Sequence, residues 1–248
     1  MTRFIRATTL AGAALLAAAG GCAGGAPSRL HLLERRPPGA PVAAADLCPL
    51  RPGTWTYDVE DGTPVPGRLD YRREITDRFG AAWVGHDGDL SEFWRLDEEG
   101  NVVMPAAISH PDRAISHFSP PLVIAYRDLA SGAPRRHRVA IRVVDRDRPL
   151  RQKESGTATR TIEYVDDQLI RTPLGEFLAK RVVVEFVADL RLADARTTST
   201  LYVVEGLGVV AEEREEEIKI FGVIGRPTRR TFLLASLPGE PTSSLSAP

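Results

Sequence analysis

The chain has 248 residues, of which 43% are hydrophobic and 26% charged, a composition typical of an ordinary globular domain and not of a disordered chain. Its 32 basic and 33 acidic residues nearly balance, which gives no basis for nucleic-acid binding. Two cysteines exclude both a disulfide-dense scaffold and a zinc site with four cysteine ligands.

The first residues have the layout of a secretory signal. Two arginines precede an apolar run over residues 10–19, which is too short to span a bilayer. Small residues then lead to Cys22, and this pattern resembles a bacterial lipobox, in which the cysteine is diacylated and becomes the mature N-terminus. Ala19 stands where lipoboxes usually carry a larger aliphatic residue. We predict a signal peptide over 1–21 and lipidation at Cys22; an ordinary signal peptide with an incidental cysteine is the alternative.

Lipidation at Cys22 predicts where the protein resides. Several acyl chains, palmitate among them, hold a protein on a membrane because each buried methylene contributes about 0.8 kcal/mol. Ala23 replaces the aspartate that commonly retains lipoproteins at the inner membrane. We therefore expect a cell-envelope protein anchored to the outer membrane and facing the periplasm. Cys48 is then left alone and is expected to be a small buried residue, with a Cys22–Cys48 disulfide as the rival.

Composition divides the rest of the chain into three parts. About half of the residues in 23–47 are Ala, Gly or Pro, which predicts that 22–47 is the lipidated cysteine followed by a flexible tether. The polar, proline-containing segment 238–248 is predicted to be a disordered tail. Residues 48–237 remain as a single domain that is large enough for a sizeable core.

Alternation of apolar and polar residues with a period of two dominates that domain. Over 181–192 every even position is apolar, while the odd positions include four charged residues. Glycine-containing turns separate such runs, and no long helical stripe occurs. We predict an all-β fold, a curved antiparallel meander of about ten to twelve strands with little helix outside the signal peptide. A weak repeat with an offset of 108 residues suggests two similar lobes, over 54–150 and 155–237, or a chance recurrence of strand patterns.

Three segments carry a family resemblance. They are the opening Leu-Arg-Pro-Gly-Thr-Trp-Thr-Tyr of 50–57, the turn Thr-Pro-Leu-Gly-Glu-Phe of 172–177, and the strand–turn–strand sequence of 201–210. Together they resemble exported bacterial β-sheet proteins of unknown function, many of them lipoproteins, which share a Thr-Pro-x-Gly-x-Phe turn and a Tyr-Ala-Pro-Gly-Val-Gly-like signature. Val203-Val204-Glu205 replaces the more usual Ala-Pro segment. The resemblance implies a β-sheet lipoprotein and carries over no catalytic residue.

Two loops hold the residue types of a metal or acid–base site. His86, Asp87 and Asp89 place one imidazole beside two carboxylates, although an Asp-Gly-Asp sequence also favours a hairpin turn.

The second loop repeats Ala-Ile-Ser-His and carries His110, Asp112 and His117 among several prolines. The prolines argue against a regular helix and favour an irregular surface loop. A metal-dependent hydrolase would need at least three of these six side chains around one point.

The remaining motifs do not indicate catalysis. The sequence has no nucleophile elbow, P-loop, dinucleotide fingerprint or His-Glu-x-x-His. The acidic run 212–217 is predicted to solvate an exposed strand and to discourage pairing at a sheet edge. We therefore expect a lipid-anchored, non-enzymatic binding or structural module, bound to the membrane through its anchor. Its partner is an apolar ligand in a concave sheet or another protein, and we expect no cofactor. A metal-dependent hydrolase is the alternative.

Overall fold

A computed structural model describes residues 28–63, 65–220, 223–224 and 227–239. In chain order the elements are β1 (His31–Arg36), β2 (Val42–Ala43), α1 (Ala44–Leu47), β3 (Gly53–Glu60), β4 (Gly67–Ile75), β5 (Trp83–His86), β6 (Leu90–Leu96), β7 (Val102–Ser109), β8 (Ala114–Ala125), β9 (Asp128–Leu129), β10 (Arg135–Asp145), β11 (Gln152–Thr172), β12 (Gly175–Leu190), β13 (Ala193–Val204), β14 (Gly208–Ile220), β15 (Val223–Ile224) and β16 (Thr228–Ser236). A short 3-10 turn covers Arg78–Gly80. In these ranges no helix is both long and apolar enough to cross a bilayer.

Twelve strands form one closed antiparallel sheet, a barrel. Each strand of the series β3 to β8, β10 to β14 and β16 pairs with the next one in the series, and β16 then pairs with β3. The all-β fold class and the antiparallel meander are therefore confirmed. The sequence pattern is the cause: Val182, Val184, Ala188 and Leu190 alternate with charged and half-buried residues along β12 and are all buried.

The two halves that share the weak repeat contribute to the same ring. The hairpins β6–β7 and β13–β14 correspond under the 108-residue offset. However, β5 lies between β4 and β6, whereas β12 and β13 pair directly, so the strand order differs between the halves. The duplication remains a prediction.

The predicted tether is wrong for residues 28–47, which belong to the folded body. Arg29 forms ion pairs with Asp58 and Glu60 of β3 at 3.0 and 2.9 Å, and β1 pairs with the far part of β11. Val42 is completely buried, since β2 pairs with β9 and Val42 packs into the core. Composition indicated flexibility because Ala, Gly and Pro dominate, but the few apolar residues between them pack against the sheet. Cys22, the signal peptide 1–21 and residues 240–248 of the predicted tail lie outside the described residues.

Residues 42–50, which we call the plug, cover one end of the ring. The amide of Ala44 donates to the carbonyl of Arg127 after β8, and Asp46 Oδ1 accepts the amide of Gly206 in the β13–β14 turn. Cys48 is 3% exposed and packs in the same core cluster as Trp94 and residues of β7 and β8, so its predicted burial is observed. The plug thereby reaches into the interior of the sheet.

Candidate functional site

The structure brings two of the predicted histidines together through a serine. Ser91 Oγ lies 2.7 Å from His86 Nδ1 and 2.7 Å from His110 Nε2. His117 lies elsewhere, on the outer face of β8, with its ring edge-on to Phe79. Burial lowers the pKa of both His86 and His117. In the described part of the chain, no group of three or more His, Cys, Asp or Glu side chains could hold a metal ion.

The irregular surface loop predicted around His110 and His117 is wrong, because β7 and β8 pair there as a hairpin that turns between Ser109 and Ala114. The aspartates of both segments build tight turns. Asp87 Oδ1 accepts the amides of Asp89 and Leu90 at 3.2 and 2.7 Å, as the Asp-Gly-Asp sequence predicts. Asp112 Oδ2 accepts the hydroxyl of Ser109 at 2.7 Å. These carboxylates fix the geometry of turns, and no feature of the described residues favours the hydrolase.

A cluster of charged side chains lies instead inside the closed sheet. Glu92 of β6 interacts electrostatically with Arg160 of β11 and with Arg214 of β14. In the ring, β7, β8 and β10 separate β6 from β11, and β5, β4, β3 and β16 separate β6 from β14. Side chains on strands so far apart around a ring interact by pointing into its interior.

One part of this cluster is well paired. Arg214 donates to both carboxylate oxygens of Glu212, at 2.7 and 3.0 Å, and Ser199 donates to Glu212 Oε1 at 2.7 Å. The Arg214 guanidinium also lies 4.6 Å from the ring centre of Phe232. Burial by itself raises the pKa of Glu212, but Arg214 outweighs it, so the pKa is lowered and Glu212 stays ionised.

The other part, Glu92 and Arg160, is not joined by hydrogen bonds. No hydrogen bond to the side chain of Glu92 or Arg160 is seen among the described residues, and Arg160 Nε is buried without a partner. Burial is the largest influence on both groups: it raises the pKa of Glu92 and lowers the pKa of Arg160. Burial therefore disfavours the charged form of each side chain.

The charged side chains of the interior are not fully enclosed. Arg214 keeps 32% of its side-chain surface accessible and Glu212 keeps 13%, although burial is the first influence on the pKa of each. Glu92 and Arg160 are likewise half-buried by surface area. We call the part of the ring interior where Arg73, Glu92, Arg160, Glu212 and Arg214 lie the chamber.

Aromatic rings hold Arg73 at the plug side of the chamber. Its guanidinium carbon lies 4.5 Å from the ring centre of Trp55, 5.1 Å from Tyr71 and 5.3 Å from Trp94. Its Nη1 donates to the carbonyl of Pro49 in the plug. This positions Arg73 between the plug and the chamber.

Close approach of these rings depends on Gly85. A Cβ there would lie 2.1 Å from Tyr71 Oη and 2.7 Å from Trp94, so no larger residue fits. Nearby, burial raises the pKa of the Cys48 thiol to about 11.

No protein-family model matches the chain, and no curated protein matches it. The chain has a distant likeness to a solved structure, that of the hypothetical lipoprotein YmcC from Escherichia coli (K12). The two are 13% identical with a TM-score of 0.35, over 75% of this chain and 89% of that chain. A likeness at this level carries no argument about function.

Sequence reasoning missed the chamber, although one signal was available. Arg160 stands in phase with Ala158, Ile162 and Tyr164 along β11, a charged residue at an apolar position of an alternating strand. The acidic run was misinterpreted as well. β14 pairs with β13 on one side and with β16 on the other, so it is no edge strand, and Glu212 points into the interior.

Proposed function

We propose that this protein is a lipid-anchored protein of the cell envelope that binds a small acidic ligand in its chamber and does not transform it. The lipobox-like sequence before Cys22 supports the anchor, with the body facing the periplasm. The closed sheet supports a rigid container around the chamber. A charged lining favours a polar ligand over the apolar ligand that a concave sheet alone suggests.

One observation carries the proposal: Arg160 and Glu92 interact electrostatically, but neither side chain forms a hydrogen bond with another of the described residues. A buried charge that lacks a partner destabilises a fold by about several kcal/mol, and an apolar residue of similar size would avoid that cost. A ligand with an acidic group against Arg160 and a hydrogen-bond donor against Glu92 would satisfy both side chains. Charge-assisted hydrogen bonds of this kind are among the strongest that a protein forms.

The chemistry around the chamber supports binding more than turnover. The Cys48 thiol, with its pKa raised to about 11, is almost entirely protonated at neutral pH and is a poor nucleophile. Glu212 is engaged by Arg214 and Ser199, and its lowered pKa makes it a weak base. Arg73 and Arg214 are cations that fix charge and position.

Native mass spectrometry of the protein purified from its own membranes tests the proposal. We expect the wild-type chain to carry a non-covalent adduct that Arg160→Met loses. The matched control is Arg142→Met, which removes an exposed arginine of β10 and should keep the adduct. The same adduct on all three proteins, or no adduct on any of them, would contradict a ligand held by Arg160.

A further inference from the structure

The β11–β12 hairpin continues past the ring and, with β1, forms a three-stranded extension. Residues 175–179 of β12 pair with β11 beyond the point where β13 ends its pairing at Lys180. On its other side, this part of β11 pairs with β1 through Arg171 to Asp167. We call β1 together with residues 165–180 the extension.

One side of the extension packs against the ring. The other side is exposed, and we call it the bare surface. Leu30, Ile170 and Ala179 are buried in one cluster with Tyr202 and Leu233 of the ring. In contrast, four leucines of the extension are largely exposed, a concentration that is unusual for a solvated surface. Leu33 (43% exposed) and Leu178 (47%) lie on the bare side, and Leu174 (43%) lies in the turn between β11 and β12. Leu32 (52%) pairs with the buried Ile170 and is exposed at the edge of the packed side.

We propose that this bare surface of the extension lies on the lipid membrane to which the protein is anchored, with the leucines entering the headgroup boundary. This inference rests on the anchor in the proposed function. Only eight residues lie between Cys22 and His31, so a fully extended chain between them spans at most about 30 Å. The lipid at Cys22 therefore keeps this end of the body, the extension together with the end of β3 that Arg29 contacts, close to the bilayer.

The charges of the extension balance. It holds four basic side chains, Arg35, Arg36, Arg171 and Lys180, and four acidic ones, Glu34, Asp166, Asp167 and Glu176. Its basic residues can still meet anionic lipid headgroups. Arg36 and Arg171 already have partners in Glu34 and Glu176, and all four side chains are largely exposed, so lipid phosphates can compete for these arginines.

Spin labels on the full lipidated chain test this orientation. Leu33→Cys and Leu178→Cys place a label on the extension, and Leu150→Cys places one at the opposite end of β11, where Leu150 is fully exposed. Lipidation consumes Cys22, and burial protects Cys48, whose pKa is raised to about 11, so the introduced cysteine is the reactive one. The labelled proteins are reconstituted in vesicles of phosphatidylethanolamine and phosphatidylglycerol.

We expect the labels at 33 and 178 to collide more often with oxygen than with a water-soluble nickel chelate, and the label at 150 to show the reverse. A label at 178 that behaves like the one at 150 would overturn the inference. So would low access to both reagents together with crosslinked dimers, because a second copy would then cover the extension through edge strand β1.

Flotation with the vesicles separates this inference from the anchor on which it rests. If the wild-type chain floats and Cys22→Ser does not, the anchor stands, and the labels alone decide the orientation. If the wild-type chain fails to float, the anchor itself is refuted, and with it the orientation.

Discussion

Arg73 links the plug to the ring, so its replacement by methionine should destabilise the whole fold. Arg73→Met keeps the length of the side chain but removes the guanidinium that lies 4.5–5.3 Å from three aromatic rings and donates to the Pro49 carbonyl. A desolvated cation–π interaction contributes about 2 kcal/mol, without simple addition over the three rings. A hydrogen bond from a charged donor contributes about another 2 kcal/mol.

The methionine recovers part of this loss through apolar contacts, about 1 kcal/mol. The expected net loss is therefore about 3 kcal/mol in the free energy of unfolding. With an m-value of about 3 kcal/mol per molar, the urea midpoint should fall by about 1 M. Fluorescence of Trp55 and Trp94, which flank Arg73, reports the transition.

The control is Arg68→Met on the same strand. Arg68 is exposed and its ion pair with Asp70 is long, at 3.9 Å, so we expect less than about 0.5 kcal/mol. A loss below about 1 kcal/mol for Arg73→Met, or an equal loss for both variants, would refute the reasoning that Arg73 holds the plug.

Three further predictions concern the chamber, the plug and the anchor. Because burial raises the pKa of Glu92, its ionised form destabilises the folded state; Glu92→Gln should therefore raise the urea midpoint at pH 7, and the gain should vanish as the pH falls below about 4. Val42→Ala should lower the free energy of unfolding by about 1–2 kcal/mol, because Val42 is completely buried. Cys22→Ser should move the protein from the membrane fraction to the soluble fraction on cell fractionation.

A specific result would contradict each of these three predictions. An equal gain for Glu92→Gln at pH 4 and pH 7 would mean that packing, and not ionisation, sets the effect. An unchanged urea midpoint for Val42→Ala would mean that the segment around Val42 is a flexible tether, as its composition predicts. Retention of Cys22→Ser on membranes would require another means of attachment.

Local strand patterns were predictable from the sequence, whereas closure of the sheet was not. The alternation along β12 reveals its inward face, because a half-buried strand needs one apolar side. The pairing of β16 with β3 joins residues about 170 positions apart, and no local signal reports such a contact. The plug was missed for a related reason: the burial of Val42 and Cys48 depends on partners that are distant in the chain.

The chamber shows the same limit. Arg160 breaks the apolar phase of β11 and was visible as an exception, but its proximity to Glu92 and Arg214 depends on the closed ring. The acidic run 212–217 was predicted to face solvent because runs of like charge usually do. In the structure, alternation along β14 turns Glu212 and Arg214 inward while Glu213 stays exposed. Composition alone does not distinguish these two faces.

A crystal structure of the protein purified natively, without added ligand, tests the central claim most directly. The account predicts non-protein electron density in the chamber, with an acidic group within hydrogen-bonding distance of the Arg160 guanidinium and a donor within reach of Glu92. A chamber filled by ordered water alone, or closed by a direct Arg160–Glu92 ion pair, would contradict it.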